Sequence, residues 1–308
     1  ILKNNSMIDN KTFDVIIIGG SYAGLAAGMA LGRASKKTLI IDNGNPCNKQ
    51  TPYSHNFLTN DGKSPSEITS IANHQVSNYD TVHFLNETAI DVVKSMNGFN
   101  VRVGNGESFE TTNLIFATGI KDLLPPIKGV SECWGISVLH CPYCHGYEIR
   151  NVKTGILGNG DTGFEFVKLI SNWTNDLTVF TNGDSSFTFD QKEKLHKHHI
   201  QVVENKIEQL EQYNGHVKNI LFEDGTTFRI EAIYAPSPFE QHCKIPEIMG
   251  CEITDDGYIK IDHSFETTIK GVFAIGDNAT KIRTVANAVA MGTQAGMTIS
   301  KKMILDDF

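Results

Sequence analysis

The sequence has no long apolar run. Its most hydrophobic stretches, DVIIIGG and GLAAGMALG, are short and broken by glycine, far below the roughly 18 residues that a membrane-spanning helix needs. It also lacks an excess of positive charge: 27 lysines and arginines stand against 35 aspartates and glutamates, a net charge of -8. No basic stripe offsets that balance, so its field repels polyanions and argues against nucleic acid or an anionic membrane surface as partner. No signal peptide is visible, which points to the cytoplasm. A disulfide framework is missing as well. Of six cysteines only Cys141 and Cys144 are closely spaced, and in a reducing compartment Cys47, Cys133, Cys243 and Cys251 are expected as free thiols. Residues 1–6, ILKNNS, precede Met7 and read as an extension without a role.

What is present is glycine, 27 residues of it in a chain of 308, long enough for two domains with cores of their own. The glycines sit in an internal near-repeat. FDVIIIGGSYAGLAAGMALGRASKKTLIID runs from an apolar strand through a glycine corner into an Ala/Leu-rich helix and a second strand. VKTGILGNGDTGFEFVKLISNWTNDLTVFT repeats the plan. Aligned without gaps, Gly19 falls on Gly158, Ser21 on Gly160, Gly24 on Gly163 and Asp42 on Thr181. One glycine fingerprint is weak evidence; two with flanking strands and helices imply two βαβ dinucleotide units.

Between them, TTNLIFATGI reads as a strand ending at Gly119, followed by the proline-bearing connector KDLLPPIKG. EAIYAPSPFEQH reads as a further strand and a return crossing, and GVFAIGDNATKIR near the end is a third corner opening a long helix with small residues on one face. The expected fold is α/β, with two Rossmann-like dinucleotide-binding domains, the second inserted into the first. The expected segments are 7–119 and 243–308 for the first domain and 120–242 for the second.

At the first corner Gly19 permits the tight turn, Gly24 lets the helix pack on the strand, and the helix N-terminus offers N–H groups to a pyrophosphate. Asp42 is placed to accept from adenosine ribose hydroxyls. Ser21 replaces the middle glycine of the fingerprint, a mild change whose hydroxyl can itself donate. The second corner keeps Gly158, Gly160 and Gly163, but Thr181 stands where an acid would hold a nicotinamide cofactor's 2′-hydroxyl. TNGDSS offers no arginine for a 2′-phosphate, although Asp184 could stand in for the missing acid. This corner binds NADH or NADPH by other contacts, or no longer uses it.

HCPYCHGYE carries the chemistry. A zinc site would need a second pair of soft ligands, and Cys133, His140, His145 and Cys243 make no such pair. A structural disulfide is disfavoured by the compartment and by the strained loop that CxxC closes. A redox couple is the reading favoured over both. CPYC also occurs in glutaredoxins, but those are small domains, whereas here it lies beside two dinucleotide units, which suits a dithiol exchanging two electrons with a flavin.

GGSYAG after a strand, FATG, CxxC, GxGxxG and GVFAIGDNA follow one another in the order and approximate spacing of the low-molecular-weight thioredoxin reductase family, which the chain resembles from Met7 onward. The resemblance implies a homodimeric flavoprotein with FAD in the first domain, the active disulfide on the nicotinamide domain, and a domain rotation that serves each in turn. It also implies Cys144 as the flavin-side thiol, Cys141 as the interchange thiol, Asp277 after Gly276 on the ribityl chain, and Asn48, Asn56, Thr118 and Gly119 on FAD. The partner would be a thioredoxin-like protein or a small disulfide.

Two departures matter. The family usually has an aspartate after the second cysteine as proton donor; this chain has His145, which can serve as acid or base, and His140 could share that duty. The missing 2′-phosphate arginines are the second. Together with CPYC-His-Gly and SYAG, they make the chain similar also to flavin dithiol oxidases, which close disulfides in small molecules and pass the electrons to oxygen. A ferredoxin-NADP reductase type would use the same double scaffold but would leave the cysteine pair without a task.

Overall fold

The structure, a computed structural model, describes residues 11–308; the extension expected at 1–6 and the first residues of the expected 7–119 segment lie outside the described residues. Strand β1 (Thr12–Ile18) sends Val15 and Ile17 into one core and Ile16 and Ile18 into another. A strand covered on both faces reads as a continuous apolar run, which is why this one shows no polar alternation. Helix α1 (Tyr22–Arg33) leads to β2 (Thr38–Asp42), parallel to β1 with Ile16 opposite Leu39. Helix α2 (Pro65–Val76) starts at a Ser64–Glu67 capping box and returns the chain to β3 (Val82–Asn86), parallel to β2. The antiparallel strands β4 (Ala89–Ser95) and β5 (Gly98–Val103) extend the sheet through the first half of β6 (Ser108–Phe116), which lies parallel to β1.

Strand β6 ends at Phe116, short of Gly119. Ala117, Thr118 and Gly119 leave the sheet to line a cleft, and the turn is possible because Gly119 adopts φ 62°. The supposed connector then begins as a strand, β7 (Ile120–Asp122).

The next unit opens with the short helix α3 (Val130–Cys133), β8 (Val138–Leu139) and the one-turn helix α4 (Pro142–His145), which has Cys141 as its N-cap and carries Cys144 within its turn. The second glycine corner follows: β9 (Thr154–Leu157), α5 (Gly160–Ile170), β10 (Leu177–Phe180), α6 (Phe189–Lys197) and β11 (Gln201–Val203). Three antiparallel strands, β12 (Ile207–Tyr213), β13 (His216–Phe222) and β14 (Thr227–Arg229), follow, and β15 (Ala232–Tyr234) enters the parallel sheet between β9 and β8. The order is β11-β10-β9-β15-β8. One face, with Ile156, Val179, Leu139 and Tyr234, packs against Phe164 and Val167 of α5. The other, with Phe180 and Ile233, packs against Phe222 and Phe228 of the antiparallel strands.

Strand β16 (Phe239–Gln241) brings the chain back by pairing antiparallel with β7. After helix α7 (Ile245–Ile248), β17 (Val272–Ala274) joins the first sheet beside the second half of β6. Helix α8 (Val285–Asp306) lies along α1, close enough that a Cβ on Gly292 would run into the Ala23 carbonyl. That is the use of its small-residue face. The architecture is thus two Rossmann-type α/β units, the sheet of the first completed by a strand from beyond the second. Among the described residues no helix is long and apolar enough to cross a membrane.

Candidate active site

The β1–α1 turn, the Gly276–Asp277 corner and the cysteine turn meet at one open cleft of about 2080 Å³. Gly19 has φ 106°, and a Cβ there would strike the Ala117 carbonyl; a Cβ on Gly24 would strike the carbonyl of Gly19 itself. Ser21 is the N-cap of α1, yet its side chain makes no cap hydrogen bond. The first-turn amides therefore lack the side-chain partner that helix starts usually recruit. Asp42 accepts from the Gly20 N–H at 2.6 Å and from the Gly44 N–H at 2.7 Å, which orients its carboxylate along the cleft wall. An uncapped helix start beside an oriented carboxylate, in a cleft of this volume, fits FAD.

Gly19, Ser21, Asp42, Asn48, Thr118, Gly119, Gly276 and Asp277 all line this cleft. Asn48 donates to the Tyr22 hydroxyl at 3.4 Å, and Thr118 receives Asn278 Nδ2 at 3.2 Å. Gly24 lies behind the wall, where its role is packing. Asn56 does not line the cleft: its backbone N–H donates to Asp61 at 2.8 Å, and its neighbour His55 takes the place on the wall.

The cysteine turn closes one end. Cys144, His140 and His145 line the cleft, whereas Cys141 does not. The Cys144 thiol donates to Cys141, and that bond, helped by the N–H groups of Cys144 and Tyr143 and opposed by burial, brings the Cys141 thiol down to about 7. The same bond, then burial and the Cys141 charge, pushes Cys144 strongly upward. Of the two thiols Cys141 is thus the more readily ionised, with the shared proton on Cys144. His140 stacks on Trp134 with ring centroids 5.7 Å apart, and burial, with Arg283 next in effect, lowers it to about 4. Burial and nearby His55 lower His145 too, against the pull of Glu148. Both histidines are thus held neutral near pH 7, the form in which an imidazole can accept a proton.

Several residues here carry no sequence signal. Arg283 grips Asp122 of β7 through two hydrogen bonds of 3.0 and 2.9 Å, and its Nε lies 3.9 Å from Asp277. Burial raises Asp277 to about 6, with Arg283 opposing. His55 reaches from the first unit toward Glu148 of the second, Nδ1 to carboxylate 3.6 Å. The one hint was a single arginine just after the Gly276–Asp277 corner. Topology, which no local pattern reports, brings in the others.

The second glycine corner lies away from the cleft, and the side chain that caps its helix is occupied. Asn159, the N-cap of α5, accepts from the Gly160 N–H at 2.9 Å and from the Ser186 N–H and hydroxyl at 2.8 and 3.0 Å; its amide donates to the Asp184 carbonyl at 2.9 Å. Gly158 and Gly163 pack against each other. Thr181 is buried and spends its hydroxyl on the carbonyls of Gly183 and Val203.

The family profile of the pyridine nucleotide-disulphide oxidoreductases matches residues 13–292. The chain belongs to that family. It is 28% identical to the thioredoxin reductase tcpT of Claviceps purpurea over 313 residues, 97% of each chain. Among solved structures, a putative thioredoxin reductase from Bacillus anthracis superposes with a TM-score of 0.91 at 29% identity, covering 96% of this chain and 100% of that one. An oxidoreductase from Agrobacterium tumefaciens does so with a TM-score of 0.88 at 35% identity, covering 96% and 99%. The chain is therefore a thioredoxin reductase-like oxidoreductase, of a family that uses FAD and NAD(P)H.

Proposed function

We propose that this pyridine nucleotide-disulphide oxidoreductase exchanges thiols for disulfides through Cys141 and Cys144, with FAD held in the cleft by Gly19, Ser21, Asp42, Asn48, Thr118, Gly119, Gly276 and Asp277. The observation that carries it is the asymmetry of the pair: Cys144 lines the cleft and Cys141 does not, so one sulfur is open to the cofactor and the other is left for the substrate. When bound, FAD supplies a two-electron couple that renews the pair. Reductively, the Cys141 thiolate attacks a substrate disulfide, and one substrate sulfur leaves as a thiolate. Cys144, its proton passed through His145, then attacks Cys141, which releases the second substrate sulfur and closes Cys141–Cys144. NADH or NADPH would feed this direction from the Gly158, Gly160 and Gly163 corner. The acceptor is a thioredoxin-like protein or a small disulfide.

A second reading runs the exchange backwards as a dithiol oxidase, with oxygen as final acceptor and peroxide as product. Two observations favour it: the self-occupied second corner, and neutral histidines suited to taking protons from a substrate dithiol. The proposed division is an FAD unit of 7–119 and 243–308 with 120–242 inserted, working as a cytoplasmic homodimer.

Anaerobic titration of the FAD-loaded protein, followed by flavin absorbance, separates the directions. Bleaching by NADH or NADPH supports the reductase, and bleaching by dithiols alone supports the oxidase. Bleaching by none of these, or equal dithiol bleaching in Cys144→Ser, overturns the assignment of the pair.

A further inference from the structure

The chain between β2 and α2, residues 43–64, forms no helix or strand, yet it is tied to its own unit throughout. Asn48 donates to the Tyr22 hydroxyl at 3.4 Å, and its carbonyl accepts from the Thr51 N–H at 3.1 Å. Ser54 pairs across a turn with Lys63: its N–H donates to the Lys63 carbonyl at 2.8 Å, and its own carbonyl accepts from the Gly62 N–H at 2.9 Å. Asp61 accepts from the Asn56 N–H at 2.8 Å and stands 3.6 Å from His55 Nδ1. Side chains between these ties project from a backbone that is held in place.

Two of them reach the second unit, and they bracket the cysteine turn. Before the turn, Gln50 Nε2 donates to the Ser131 carbonyl at 3.3 Å and to the Trp134 carbonyl. The Trp134 ring in turn stacks on His140, inclined to it by only 20°, and His140 is bonded directly to Cys141. After the turn, Glu148 lies 3.6 Å from His55 Nδ1. Between the two contacts the backbones approach closely. Gly135 has φ 74°, and a Cβ there would lie 2.7 Å from Thr51 Oγ1, an approach that glycine permits. Gln50, His55, Trp134 and His140 line the same cleft as Cys144.

We propose that this loop is the seat of the cysteine turn, and that Gln50 is the positioning residue that holds Cys144 in the cleft. The inference rests on the reading of Cys141 and Cys144 as the exchanging pair. Magnitudes single out Gln50. The His55–Glu148 contact is longer than a hydrogen bond, and the Glu148 side chain is 39% exposed, so it contributes little. Gln50 makes two bonds, both to backbone carbonyls, and so fixes the stretch of chain that carries the ring behind His140. Both bonds are solvent-exposed, which makes the seat weak enough to part without unfolding either unit. Glutamate at 50 would keep the shape and have nothing to donate.

The test is the rate at which fluorescein maleimide labels Cys144 in FAD-loaded Cys141→Ser protein, and Cys141 in FAD-loaded Cys144→Ser protein. It is read by tandem mass spectrometry of the tryptic peptide that carries both positions and also Cys133, which is 0% exposed. With Gln50 in place, Cys144 should label far more slowly than Cys141. Gln50→Glu should speed Cys144 about tenfold, the loss of two hydrogen bonds at the low end of their range, and leave Cys141 within about twofold. Gln50→Glu/His55→Ala should expose Cys144 at least as much. Unchanged Cys144 labelling in both variants, with Cys144 protected while Gln50 is present, overturns the role of the loop alone. A parallel rise at Cys133 marks general loosening and also counts against the seat. Equal labelling of Cys144 and Cys141 with Gln50 in place overturns the asymmetry on which the reading of the pair rests.

Discussion

Replacing Asn159 with glycine should open the second corner to a nicotinamide dinucleotide. Four hydrogen bonds converge on this side chain: three accepted by Oδ1 from Gly160 and Ser186, one donated to the Asp184 carbonyl. A pyrophosphate at the start of α5 has to displace them. Three of the four are solvent-exposed, so each is placed at the low end of a net hydrogen bond, about 0.5 kcal/mol. Their sum is about 2 kcal/mol, or about thirtyfold in affinity. Deleting the side chain gives up the same bonds, a loss of stability of at most about 2 kcal/mol of which the cap itself is about a few tenths, small enough against a total of about 5–15 kcal/mol that the fold survives. The assay is anaerobic stopped-flow reduction of the bound flavin across a range of NADH and NADPH concentrations. The half-saturating concentration should fall about thirtyfold, or bleaching should appear where the native protein shows none. If half-saturation stays within about twofold of the native value while the melting temperature drops, Asn159 is a cap and nothing more, and the argument from the occupied corner fails.

Asp42→Ala should weaken FAD retention at least about tenfold, the loss of one charge-assisted hydrogen bond to ribose, measured as flavin fluorescence released on dilution; undiminished occupancy removes Asp42 from the site. Arg283→Gln leaves Asp122, only 10% exposed, without its counter-charge and should cost about 3 kcal/mol in urea unfolding. The double variant Arg283→Gln/Asp122→Asn should recover most of that loss, whereas strict additivity would show that the clasp carries no coupling. In the proposed dithiol oxidation His145 acts as a base, only when deprotonated. The rate of dithiol oxidation should therefore rise with pH through a midpoint below the ordinary histidine value of about 6.5, as its lowered pKa requires. His145→Gln should erase that limb and slow the reaction about a hundredfold; an unchanged profile would assign the proton to another group.

The two glycine corners were legible because their signals are local: apolar strand, glycine, small-residue helix, each within a few residues. The CxxC turn was legible for the same reason. The antiparallel layer β12–β14 left no comparable trace, since its polar alternation serves a face covered only by the neighbouring sheet. Strand β7 hid in a proline-bearing connector because its partner β16 lies more than a hundred residues away. Asn56 was placed on the cofactor by its position in the chain, but a backbone turn held by Asp61 points the neighbouring His55 inward instead.

The repeat itself concealed the most consequential difference. Both units spell the same corner, and the second keeps the glycine that the first has lost. By fingerprint alone Gly158-Gly160-Gly163 is the better phosphate site. The capping residue reverses that ranking. Ser21 leaves the amides of α1 without a side-chain partner, while Asn159 spends its carbonyl oxygen on Gly160 and on a loop 27 residues downstream. Glycine at a helix start makes room for an anion, but an anion binds more readily where the first-turn N–H groups have no side-chain partner. How well the second corner suits an anion therefore turns on a residue the fingerprint writes as x, Asn159, and on the distant Ser186 that donates to it.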